Sequence, residues 1–148
     1  MKRIDTGEYV SVLKTLVEEG REVNIRIAGN SMAPFLIHER DYAWIKKPEQ
    51  APVKGDIVFY QRKDGRYILH RICRVKQEGY YLAGDAQNML EGPIGREQIF
   101  AVVTKVRRKE KWIGPGDFWW EFFRKPWIRL LPIRRGVIGV YGFFRRRG

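Results

Sequence analysis

From residue 23 onward, turn signals cut this chain into segments too short for anything but strands. They fall at Ala28-Gly29, Gly55-Asp56, Lys63-Asp64-Gly65, Gln77-Glu78-Gly79 and Gly84-Asp85-Ala86. Ile25 and Ile27 alternate with Asn24 and Arg26, the period of a half-buried strand. The pattern predicts strands over Val23–Ile27, Tyr42–Ile45, Gly55–Tyr60, Arg66–Val75, Tyr80–Ala83 and Phe100–Val106. The stretch Lys46–Lys54, with Pro48 and Pro52, is expected outside any central strand, and Gln87–Arg96 reads as loop. Glu97–Ile99 is expected to make one helical turn. Ahead of the strands, Thr6 can cap a helix whose Val10, Leu13 and Val17 share a face, with Gly20 as its stop. The fold expected is mainly β: an antiparallel core behind one short N-terminal helix.

At 148 residues the chain suffices for one domain with a real core. Cys73 is the single cysteine and His38 and His70 the two histidines, which excludes an internal disulfide and a cysteine-based metal cluster. No cofactor is expected. The net charge of +12 is lopsided. From Lys105 to Gly148 there are 13 Lys or Arg against three acidic residues, while the first 104 residues hold 16 basic and 14 acidic groups. A nearly neutral main region argues against nucleic acid as its partner.

The N-terminus has no apolar run of signal-peptide length, and no stretch reaches the roughly 18 apolar residues of a membrane-spanning helix. After Gly114-Pro115-Gly116 the composition shifts to interleaved aromatics and arginines, with Trp119, Trp120 and Trp127 among them. Two readings of this tail stand side by side. It lies in a membrane interface, in short pieces such as Trp127–Ile133 and Gly136–Phe144, against anionic lipid. Alternatively its aromatics fold back to close the β core or cover a groove.

Ser31 follows the first strand on a tight turn, Ala28-Gly29-Asn30-Ser31-Met32-Ala33-Pro34, where a hydroxyl and a backbone N–H can be exposed together. A serine needs a nearby base to act as a nucleophile at neutral pH. His70 projects from the apolar face that Ile68 and Ile72 share, and its ordinary titration range suits that role. A carboxylate usually holds such an imidazole in one tautomer. Asp85, on the turn after a neighbouring strand, is the first choice, with Asp56 and Asp41 ranked behind it. His38, among charged neighbours, reads as an exposed loop residue.

Four boxes, Gly29-Asn30-Ser31-Met32-Ala33-Pro34, Gly55-Asp56-Ile57-Val58, Leu69-His70-Arg71-Ile72 and Gly84-Asp85-Ala86, stand in the order and spacing of the signal peptidase and LexA-like serine peptidases. The resemblance covers Val23 to Val106 and is to the type with a histidine base followed by arginine. It implies Ser31 as nucleophile, His70 as general base and Asp85 as support, on a LexA/signal-peptidase-like antiparallel β fold. With the composition shift at Gly114-Pro115-Gly116, the organisation expected is a peptidase domain over residues 1–113 (helix 6–20, β core 22–108) followed by a basic aromatic tail over 114–148. The expected activity is a serine endopeptidase of the signal-peptidase type, cutting a peptide or leader segment from a protein substrate, membrane-associated at the periphery or cytoplasmic. The alternative is a LexA-like regulatory or binding module that cleaves itself, with Gln87–Gly95 as a loop to cut, or cleaves nothing. The chain departs from the resemblance in three ways. No N-terminal membrane anchor is visible, Gly29 stands where some signal peptidases carry an oxyanion-hole serine, and the short first helix is no helix-turn-helix pair.

Overall fold

The computed structural model describes residues 6–129 apart from 28, 30 and 88. Helix α1 spans Thr6–Glu18 and buries Val10, Leu13 and Val17, three and four residues apart on one stripe. It ends where Gly20, at φ +92°, turns left-handed. Gly20 N–H then donates to the Val17 carbonyl at 2.9 Å and Arg21 N–H to Leu16 at 3.1 Å, which satisfies two open carbonyls of the last turn.

After α1 the described residues form one antiparallel sheet of eight strands: β1 (Val23–Arg26), β2 (Tyr42–Lys46), β3 (Ile57–Gln61), β4 (Tyr67–Lys76), β5 (Gly79–Ala83), β6 (Glu91–Ile94), β7 (Ile99–Arg108) and β8 (Lys111–Ile113). Their spatial order is β1-β2-β7-β3-β4-β5-β6, with β8 paired to β7. Bulges at Trp44/Ile45, Phe59/Tyr60, Ile72/Arg74 and Tyr80/Leu82 shift the register, and such bulges deepen the twist of a sheet. Both faces of the middle are covered. On β3, Ile57 and Phe59 join the larger core with α1, β1, β2, β7, Met32 and Phe35. Val58 and Tyr60 point the other way, into a second core with Ile72, Tyr80, Leu82, Ile94 and Ile99. This accounts for the unbroken apolar run Ile57–Tyr60.

Two strands went unforeseen in the sequence. Strand β6 lies inside the stretch read as loop, because Gly92 and Pro93 hide it. A proline is tolerated there since, among the described strands, β6 stands at the edge of the sheet. Strand β8 returns through Lys109 and Glu110, whose φ values of 50° and 67° are those of a hairpin turn normally announced by Asn or Gly.

Beyond Gly114 come α2 (Phe118–Arg124) and α3 (Pro126–Arg129). Phe123, Trp127 and Ile128 are buried, and Phe35 packs against Phe123 with ring centroids 4.9 Å apart. The aromatics at these positions therefore fold back on the core. Phe118 and Trp119 stay exposed at 70% and 46%. The segment Gly136–Phe144 and all but the start of Trp127–Ile133 lie outside the described residues.

Candidate active site

Strand β4 carries His70 and Arg71 to opposite sides of the sheet, as adjacent residues of a strand must be. Both are buried. Arg71 pairs in the ladder with Ala83 and Ile72 with Leu82, so His70 is level with Gly84, one step past the end of β5. Leu82 and Gly84 alternate with Ala83 and thus share the side of Ile72 and His70.

Ser31 of the serine turn comes up against Gly84. A Cβ added to Gly84 would sit 2.9 Å from Ser31 Cβ and collide with the Ser31 carbonyl oxygen. Only glycine allows the turn to approach so closely. Ala86 N–H donates to that carbonyl at 2.8 Å and fastens the turn to the Gly84-Asp85 corner. Among the described residues this is the one hydrogen bond Ser31 makes, and its hydroxyl and N–H have no partner there. The near end of the turn is held by His38, whose Nδ1 accepts Gly29 N–H at 2.7 Å. His38 is exposed, as expected, but it braces the serine turn.

The structure thus seats the Ser31 turn on Gly84, the position level with His70. It does not bring Asp85 to His70. Both Asp85 oxygens accept from Arg71, at 2.8 and 2.9 Å, on the other side of the sheet. Arg71 also donates to the Gly55 carbonyl at 2.8 Å and stacks over Phe35 at 5.3 Å. Trp127 Nε1 caps the corner by donating to the Asp85 carbonyl at 3.0 Å. The expected Asp85–His70 contact is corrected by alternation: Arg71, not His70, shares a side with Asp85. The lower-ranked carboxylates are also engaged elsewhere. Asp41 accepts from Ile37 N–H, Lys109 N–H and Arg40. Burial pushes its carboxyl up, but Arg40 and the two N–H donors prevail and hold it below the usual range. Asp56 accepts from Val53 N–H at 2.9 Å and lies 3.8 Å from Arg124.

What His70 touches instead is Tyr60, whose hydroxyl lies 3.3 Å from Nδ1. That hydroxyl donates to Glu91 Oε1 at 2.9 Å, and Glu91 is paired through both oxygens with Arg62. Burial pushes the His70 imidazole down to about 4; Glu91 pulls it up and Arg62 pushes it further down. The imidazole is therefore neutral at physiological pH. Burial and the neighbouring Glu91 raise the Tyr60 hydroxyl well above its ordinary range, so it keeps its proton. Sequence reading missed Tyr60 and Glu91 because 31 residues separate them and Glu91 sits on the hidden strand β6.

The arrangement suits acyl transfer. A turn serine whose hydroxyl and N–H meet no described residue is seated on Gly84, level with a neutral buried imidazole whose Nε2 makes no hydrogen bond with any described residue. No curated protein and no solved structure matches the chain. A family model does, described as Peptidase S24-like, and it spans residues 2–107, which include the serine turn, His70 and the Gly84-Asp85 corner. The chain belongs to the Peptidase S24-like family.

Proposed function

We propose that this chain is a serine endopeptidase of the signal-peptidase type that cuts a peptide or leader segment from a protein substrate. The observation that supports the reading is the seat of the Ser31 turn on Gly84, the position level with His70. In the proposed reaction Ser31 Oγ attacks the scissile carbonyl carbon while His70 Nε2 takes its proton. The tetrahedral oxyanion is met by Ser31 N–H. His70 then returns the proton to the leaving amine, an acyl-enzyme on Ser31 remains, and water activated by His70 releases it. The second reading, a self-cleaving regulator, is favoured by family membership alone.

A fluorophosphonate probe followed by mass spectrometry separates the readings. The full chain should label at Ser31, Ser31→Ala should not, and the unlabelled chain should keep its full mass on incubation while cleaving peptides in trans. Loss of mass at one internal bond, with no cleavage in trans, supports the self-cleaving reading. Absence of labelling overturns both.

We infer also that this chain meets an anionic membrane surface through its aromatic, basic C-terminal region. No helix among the described residues is long and apolar enough to cross a membrane. Support comes from exposed Phe118 and Trp119, with the Arg108 guanidinium 5.4 Å from the Trp119 ring, beside a segment carrying most of the chain's excess positive charge. Removing everything after Gly114 would strip Phe123 and Trp127 from the core, so the test is a pair of substitutions. Phe118→Ser with Trp119→Ser should lower sedimentation onto anionic vesicles several-fold at moderate salt and leave the melting temperature unchanged. Equal sedimentation contradicts the role.

A further inference from the structure

We propose that Tyr60 and Glu91 are the positioning residues of His70, holding it in the tautomer with hydrogen on Nδ1 and a bare Nε2. This rests on the peptidase reading for its purpose, but not for its geometry. Only one proton lies between Tyr60 Oη and Glu91 Oε1, 2.9 Å apart. Burial pushes the Glu91 carboxyl up, but Arg62 and the Tyr60 hydroxyl prevail and hold it below the usual range, so it is ionised and can only accept. The proton is then the tyrosine's, spent on Glu91. The contact between Tyr60 Oη and His70 Nδ1 must be made by hydrogen on Nδ1, donated to the phenol oxygen. Hydrogen bonds therefore run from His70 through Tyr60 to Glu91, and Arg62 fixes the far end.

That chain has the logic of an imidazole oriented by a carboxylate, with a buried phenol inserted between them. Tyr60 is fully buried, so the orienting group cannot swing away. The groups around His70 are few. Strand β3 supplies Tyr60 and, just past its end, Arg62; β6 supplies Glu91. On β5 the facing positions Leu82 and Gly84 carry no charge, with Tyr80 further along. The serine turn reaches Gly84 through Ser31, while Met32 packs into the larger core on the other side. Arg71 and Asp85 act on the other side of the sheet.

The test uses the full chain labelled with ¹⁵N-histidine, where two imidazoles must be assigned. At neutral pH long-range ¹H–¹⁵N spectra should give His70 as the Nδ1–H tautomer. Tyr60→Phe should lose that preference, and fluorophosphonate labelling of Ser31 should slow by roughly 10²-fold. Glu91→Gln should move the acidic limb of labelling to lower pH, because it removes the carboxylate that favours the imidazolium while Arg62 remains. Glu91→Asp, which keeps the charge, should recover part of that limb. Asp85→Asn should leave both tautomer and limb in place. An Nε2–H tautomer in the unaltered chain overturns the proposal, as does a limb unmoved in Glu91→Gln. If Tyr60→Phe fails to fold, the Glu91 variants and the unaltered chain's tautomer decide. A chain with the expected tautomer that never labels keeps the positioning and removes the peptidase reading.

Discussion

His70 and Arg71 are neighbours on one strand, equally buried, and chemically opposite in outcome. Arg71 spends its guanidinium on Asp85, on the Gly55 carbonyl and on the Phe35 ring, so its side is closed. Among the described residues His70 meets Tyr60 with one nitrogen and no partner with the other, level with the Gly84 seat of a serine whose hydroxyl also meets none of them. Burial with every polar atom satisfied reads as architecture, and burial with one reactive atom left open reads as chemistry. The two sides also meet. The Asp85 corner that Arg71 holds is the platform on which Ser31 rests.

The sharpest break between the two sides should come from the reacting pair. Ser31→Ala and His70→Ala should each remove nearly all cleavage of a susceptible peptide, and the double variant should be little worse than either alone, because the pair acts as a unit. Additive losses would show that the two residues do not act together. Arg71→Ala should instead appear in stability. It strands a buried carboxylate, a loss of about 3–5 kcal/mol in chemical denaturation. A loss below about 1 kcal/mol would mean the ion pair is not the clamp described. Gly84→Ala tests the link between the sides. Its methyl meets the backbone of the Ser31 turn, which cannot yield as a flexible side chain would. A turn displaced by about 1 Å should cost on the order of 10²-fold in activity, with the melting curve only modestly shifted. Unchanged activity would detach Ser31 from this corner.

Much of this was legible in the sequence, and the limits have physical causes. Alternation from Arg66 to Val75 put His70 among Ile68 and Ile72 on one side, and the structure agrees. The same alternation separates Asp85 from His70. Seeing this would have required the β4–β5 register, which depends on where a bulge falls between Ile72 and Arg74. Strand β6 was hidden by Gly92 and Pro93, and with it Glu91. The tail's composition permitted either fate, and packing divided it, with Phe123 and Trp127 inside and Phe118 and Trp119 outside.

Burial also changes an expectation about pH. An unperturbed histidine base would give an acidic limb near 6.5, whereas His70 is pushed down to about 4. Between those values the unfolded chain binds a proton that the folded chain refuses, so stability should fall as pH drops from about 6.5 toward 4.

The most direct measurement is the rate of fluorophosphonate labelling at Ser31 across pH, in the unaltered chain and in His70→Gln. It needs no knowledge of the natural substrate. The rate should be flat from neutral pH down to about 5, fall through an ionisation near 4, and vanish in His70→Gln. A rate that climbs only at alkaline pH, or that survives His70→Gln, would contradict the pairing of Ser31 with His70.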